Sequence, residues 1–206
     1  LTAAEQRGVL PMFYLELATG LRKGEILGLK FDDFDTISHT LTISRQITAN
    51  PLVEKGNGKV LKYRIAEKEP KTDNSYRTLR VPEAILEQVQ ERKKEVEEQK
   101  KKLGKDYFDR NYVSCSGNGL PHSTSAFNNA LTKLCKRNGF PHLTVHSLRH
   151  MYASILLEQG VPLVKISALL GHSSIHTTFE FYCETMNDEA SIRDFMNMKF
   201  VPGGEA

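Results

Sequence analysis

His146-Ser-Leu-Arg149-His150, then Leu169-Leu170-Gly171-His172, then Phe179-Glu-Phe-Tyr182 is the stretch whose reading decides the rest of the chain. From Ser147 to Gln159, the residues Leu148, Met151, Tyr152, Ile155 and Leu156 fall on one face at helical spacing, with Gly160 as the stop. Pro162 suits the first turn of a second helix, whose apolar stripe is Leu163, Ile166, Leu169 and Leu170. Left at the helix ends are two histidines and an arginine, with a tyrosine ten residues beyond His172. Such a set suits chemistry on a phosphate: a guanidinium binds it, imidazoles move protons and a hydroxyl attacks.

Upstream, Thr2-Ala-Ala-Glu5 has the form of a capping box, and Leu10, Phe13, Tyr14 and Leu17 continue at helical spacing. Thr19-Gly20-Leu21 breaks that helix and Arg22 to Leu29 begins another. Arg22 lies at the new helix's N-terminus, where backbone N–H groups also favour an anion. Glu25 shares its side of the helix, either as half of a surface ion pair or as the carboxylate that orients a phosphate-binding Arg22. Thr40 to Ile43, Val60 to Ile65 and Thr78 to Val81 read as strands of a small antiparallel sheet between helical halves. The segment from Gln46 to Glu69 is longer than that sheet requires and reads as an added hairpin or a flap. Lys71 falls at a hairpin tip, where a lysine serves solubility or, in a Lys-Thr-x-x-Ser-x-Arg context ending at Arg77, reaches into a DNA groove.

Ile85, Leu86, Val89 and Val96 form the inner face of a helix from Pro82 to Leu103. Ser123 or Thr124 can cap a helix running to Arg137, with Phe127, Ala130, Leu131 and Leu134 inward and Lys133, Lys136 and Arg137 as candidate DNA-backbone contacts. Eight Lys/Arg against three Asp/Glu between Lys55 and Arg80 make either a phosphate-facing strip or a solvated hairpin. The 206 residues, 39% of them hydrophobic, suffice for a packed domain. No apolar run is long enough to cross a bilayer, and Cys115, Cys135 and Cys183 form no C-x-x-C pair, as in a reduced, cytosolic protein.

Together these boxes resemble the tyrosine recombinases, the family of phage and conjugative-element integrases. The resemblance rests on His146-x-x-Arg149, Leu170-Gly171-His172, Tyr182, the Arg22 box and Lys71-Thr-Asp-Asn-Ser-Tyr-Arg77, and spans roughly Leu1 to Thr185. It implies an α+β, mainly helical catalytic-domain fold over residues 1–206, without the core-binding and arm-binding domains that precede it in longer relatives. It implies Tyr182 as nucleophile on a DNA phosphodiester, Arg22 and Arg149 on the non-bridging oxygens, and Lys71 as acid for the 5′-oxygen. His146 would assist proton transfer at the tyrosine, His172 would hydrogen-bond a phosphate oxygen, Glu25 would orient Arg22, and Arg77 would join the DNA contacts. A covalent 3′-phosphotyrosine would form with neither metal nor nucleotide cofactor. The implied partners are double-stranded DNA, a homo-tetramer on it with the tail 186–206 exchanged between protomers, and an excisionase or DNA-bending protein; no membrane is implied. The implied setting is the bacterial cytosol.

Three rivals remain at this point. Four-residue spacing of His142, His146 and His150, and of His172, His176 and Glu180, suits a metal-dependent hydrolase if each set shares a helix face. Ser147 as a helix start would leave His142 in a loop, and a metal site gives Arg22, Lys71 and Arg149 no task. A DNA-binding regulator with dead chemistry has no use for a nucleophile, and a type IB topoisomerase would share the chemistry.

Overall fold

Helices predominate in the computed structural model, which describes residues 3–53, 60–69 and 75–179, with side chains over 11–49, 65–69 and 75–179. Lys71, Tyr182, the proposed capping residue Thr2 and the tail 186–206 lie outside the described residues. Helix α1 (Ala3–Thr19) ends at Gly20, whose φ of +62° turns the chain into α2 (Lys23–Gly28). The positive φ favours glycine, and so does space: a Cβ at Gly20 would stand 2.3 Å from the Tyr152 ring.

The segment from Gln46 to Glu69 forms the added hairpin that was one of its two readings, and Val60 to Ile65 belongs to that hairpin rather than to the main sheet. Strands β1 (Phe34–Asp35), β2 (Thr40–Ile43) and β5 (Arg77–Arg80) make an antiparallel sheet in the order β1-β2-β5. Strands β3 (Gln46–Val53) and β4 (Val60–Lys68) pair only with each other, as a hairpin with a register shift between Leu52 and Val53. The separation has a physical cause at the hairpin's base. Glu67 on β4 accepts from the Tyr112 hydroxyl and meets Lys30 Nζ at 3.1 Å and Arg45 Nε at 3.6 Å, while Arg45 also reaches Asp33 at 2.5 Å. These bonds tie the hairpin to the body through side chains rather than through a ladder. Gly24 and Gly28 let α2 lie directly against β3, since a Cβ on Gly24 would come within 2.9 Å of the Ile47 carbonyl.

Helix α3 (Glu83–Leu103) buries Ile85, Leu86, Val89 and Val96 as its spacing predicts, and also Arg92, which bonds the carbonyls of Val113 and Cys115. Helix α4 (Thr124–Arg137) is capped by Ser123. Helix α5 (Val145–Glu158) starts two residues before the expected Ser147, because Thr144 and Ser147 form a reciprocal capping box. Helix α6 (Leu163–Leu170) follows, and residues 175–179 are helical again. The core gathers Leu15, Leu21, Ile26, Leu41 and Ile43 around Phe127, whose ring lies 4.7 Å from Phe13.

The expected inner face of α5 is inward only in part. Met151 is 43% and Ile155 49% exposed, while α5 buries the expected Leu148 together with Val145, Arg149 and Ala153. Leu148, Tyr152 and Leu156 keep the inward side that the apolar spacing predicts, but the buried face extends to Arg149, a residue that apolar periodicity does not count. Tyr14 on α1 is likewise exposed, while Met12, Leu15 and Glu16 face in. Among the described residues no helix is long and apolar enough to cross a membrane.

Gly20→Ala should therefore cost more than Gly160→Ala in chemical denaturation. Both impose a left-handed alanine, about 1–2 kcal/mol, but only Gly20 adds a clash, for about 1–3 kcal/mol more; a Cβ at Gly160 meets nothing within 4 Å. Equal losses would mean that the Gly20 turn is not packed against Tyr152.

Candidate active site

Arg149 projects from the first turns of α5 into the fold, where Nη1 donates to the Gly20 carbonyl at 2.6 Å and Nη2 to the Leu170 carbonyl at 2.8 Å. Gly171, with φ of +65°, ends α6 and offers its own carbonyl to Arg22 Nη2 at 2.8 Å. Two guanidiniums from distant sequence are thus held by carbonyls at two glycine turns. Glu25 completes the frame. It accepts from Arg22 Nη1 at 3.0 Å and from the Arg22 backbone N–H at 2.9 Å, and from Arg77 Nη1 and Nη2 at 3.2 and 3.0 Å.

Arg77, expected among the DNA contacts, is turned inward. Its side chain is 8% exposed, its guanidinium is paired with Glu25, and its Nε donates to the Leu169 carbonyl at 2.8 Å. It anchors Glu25 from β5 and faces away from solvent.

Arg22 and Arg149 border a cleft of about 710 Å³, with Glu25 and Arg77 behind Arg22. Arg22, His146, Arg149 and His172 line it, with the β3 residues Gln46 to Ala49 and the α4 residues Thr124 and Asn128 as opposing walls. The structure therefore brings together Arg22, Glu25, His146, Arg149 and His172. Lys133, Lys136 and Arg137 are exposed on α4 but do not line the cleft. Three contributors were not singled out from sequence. Lys23 lines the cleft and donates to Asn128 Oδ1 at 3.3 Å; Thr178 Oγ1 lies 2.8 Å from His172 Nδ1; Glu16 lines the cleft from the last turns of α1.

Protonation follows from burial and from the cations. Burial pulls His146 down, and Arg149, Arg22 and Lys23 add to it. His172 falls to about 4 through burial and then Arg149, Arg22 and Arg77, against a smaller pull from Glu25. Both imidazoles are thereby disposed to be neutral at pH 7, able to accept a proton. Burial and the Arg22 charge hold Arg149 below its usual value, at about 9, which leaves it a cation at neutral pH. The two buried carboxyls part company. Burial pushes Glu25 up, but bonds and charges from Arg77 and Arg22 outweigh it and leave the group below the usual carboxylate range. Burial raises Glu16 to about 9, with Arg149 and Lys23 opposing. The cleft thus carries uncompensated positive charge and neutral proton acceptors, which is what a phosphate under attack requires.

His146 and His150 lie on one side of α5 with ring centroids 4.2 Å apart, but among the described residues no three His, Cys, Asp or Glu side chains gather as a metal site would need.

Replacing Glu25 by Gln leaves Arg77 buried without its counter-charge and should cost about 3–5 kcal/mol at pH 7. Because the folded-state pKa of Glu25 is depressed, its contribution is complete above about pH 4.5 and is lost as pH falls through the folded value. Denaturation of the two proteins should converge in acid; a gap independent of pH would show that Glu25 is not an ionised partner.

The profile described as "Phage integrase family" matches residues 4–189. A tyrosine recombinase XerC-like protein of Caldanaerobacter subterraneus is 36% identical over 192 residues, covering 86% of this chain and 48% of that protein. The ICEBs1 integrase of Bacillus subtilis is 27% identical over 164 residues, 80% of this chain and 41% of that one. The chain thus spans about half the length of these curated relatives. A solved structure of the Tn1549 transposon integrase in complex with transposon right end DNA superposes with a TM-score of 0.66 at 24% identity, covering 92% of this chain and 58% of that one. That likeness shows the shared fold, mainly helical with small antiparallel sheets.

Proposed function

The chain belongs to the phage integrase family, and from that premise we propose that it is the catalytic domain of a site-specific DNA recombinase of a mobile element. The observation that carries the reading is the pair of anchored guanidiniums, Arg22 and Arg149, bordering one cleft with His146 and His172. Guanidinium forks match phosphate oxygens bidentately and stabilise the charge that gathers on them in the transition state. Integrases among the relatives, from ICEBs1 and Tn1549, support the mobile-element reading over a type IB topoisomerase.

In this mechanism the Tyr182 oxygen attacks the scissile phosphorus and loses its proton with the help of His146. The bond from phosphorus to the 5′-oxygen breaks, Lys71 supplies that oxygen with a proton, and a 3′-phosphotyrosine remains. A 5′-hydroxyl from another strand then attacks the same phosphorus and releases the tyrosine. Arg22 and Arg149 hold the non-bridging oxygens throughout, His172 bonds one of them, and Glu25 with Arg77 keeps Arg22 in place. A tyrosine with an ordinary pKa near ~10 needs such a base and such cations to react at neutral pH. Neither a metal nor a nucleotide is required.

The same reading assigns Lys133, Lys136 and Arg137, exposed on α4, to the DNA backbone. It assigns double-stranded DNA as partner, a homo-tetramer as the working assembly with the tail 186–206 passed between protomers, and an excisionase or DNA-bending protein as accessory. Residues 1–206 act as one catalytic domain, in the bacterial cytosol with the chromosome.

Tyr182→Phe should bind nicked target DNA nearly as well as the unaltered protein and form no covalent adduct in a denaturing gel. Arg149→Lys, which loses the fork, should cleave at least about 10²-fold more slowly. An adduct with Tyr182→Phe would move the nucleophile elsewhere.

A further inference from the structure

Of the cleft's ionisable wall residues, the mechanism gives no role to two, Lys23 and Glu16, and only Glu16 is buried. Glu16 is 1% exposed on an α1 face that also buries the apolar Met12 and Leu15 and the polar Thr19, whose hydroxyl is bonded to the Leu15 carbonyl. A leucine or methionine would fill that position without hiding a polar atom. Its Oε2 has no hydrogen-bond partner among the described residues. Nor does it form an ion pair with Arg149, whose guanidinium reaches instead to the Gly20 and Leu170 carbonyls. A buried polar atom left unsatisfied costs free energy, and its retention in a fold calls for a reason, a functional role or a bound partner among them. Glu16 borders the same cleft as Arg22, His146, Arg149 and His172, so a partner arriving there would be the cleft's ligand.

Resting on the recombinase reading, we propose that Glu16 is a further contact of the phosphate seat, its carboxyl donating a hydrogen bond to a DNA backbone oxygen when the cleft is filled. Burial keeps the group protonated at neutral pH, with a pKa of about 9. In that state it adds a donor beside the guanidiniums; as a carboxylate it would meet the phosphate with like charge. It is thus the counterpart of Glu25, which stays ionised and accepts from the arginines.

The test uses the 206-residue protein and a nicked suicide substrate, with Glu16→Gln, Glu16→Leu and, should the leucine protein melt lower than the unaltered one, Glu16→Met. The amide keeps a neutral donor, so Glu16→Gln should cleave within about threefold of the unaltered protein, while the apolar variant should lose about 10²-fold in single-turnover rate at unchanged melting temperature. Equal rates in the glutamine and apolar variants, whether both intact or both lost, would overturn the contact. An absence of adduct in the unaltered protein would instead overturn the recombinase reading. Titration with inorganic phosphate would then decide the Glu16 contact alone: weaker binding by the apolar variant than by Glu16→Gln upholds it, and equal binding rejects it.

Discussion

One guanidinium holds the fold and the site together. Arg149 reaches from α5 to the carbonyl of Gly20, where α1 ends, and to that of Leu170, where α6 ends. Its charge is buried, a situation that is costly unless the group is fully bonded. Here the bonding partners are backbone oxygens at helix ends, which carry partial negative charge and lack intrahelical donors. The same contacts that satisfy Arg149 close α1, α5 and α6 around the cleft, and Arg22, bonded to Gly171, closes it from the other side. Stability and the proposed phosphate seat share these bonds, so neither arginine can be moved without disturbing the helices that hold it.

Charge in the cleft is divided with some economy. Three guanidiniums, of Arg22, Arg77 and Arg149, face one ionised carboxylate, Glu25, which is taken up by Arg22 and Arg77. Glu16 stays neutral through burial, and the two cleft histidines are held low by burial and by the arginines. The surplus positive charge is therefore left for an incoming anion, and the imidazoles are left able to take a proton.

Much of this was legible in the residues, for reasons that also explain the misses. The helix ends at Gly20, Gly160 and Gly171 are marked by a residue whose lack of a side chain permits positive φ, and each has it. Arg22 and Glu25 sit within one helical turn, so their pairing could be read locally. Arg77 could not be placed that way, because its partner stands 52 positions earlier in the chain and only packing brings them together. On α5 the apolar period holds at Leu148, Tyr152 and Leu156 and fails at Met151 and Ile155, because the buried side also takes in Arg149, a polar residue that periodicity scores as outward. Glu16 was hidden by the converse: a carboxyl in the stretch Met12-Phe13-Tyr14-Leu15-Glu16-Leu17 looks like an ordinary surface break in an apolar run. The segment from Gln46 to Glu69 was legible as an added hairpin through its length, but of its strands only Val60 to Ile65 showed in the alternation, and the Glu67 contacts with Lys30, Arg45 and Tyr112 that tie it to the body are long-range.

The central claim is that Arg22 and Arg149, already fixed to backbone carbonyls, seat a DNA phosphate between them. A crystal structure of the protein bound to a DNA duplex carrying the scissile site tests it most directly. The account predicts one phosphate with its non-bridging oxygens at about 2.7–2.9 Å from both guanidiniums, while Arg149 keeps its bonds to Gly20 and Leu170 and Arg22 keeps its bond to Gly171. DNA bound with every phosphate outside the cleft, or with the phosphate held by other cations and Arg149 still turned wholly to the backbone, would contradict it.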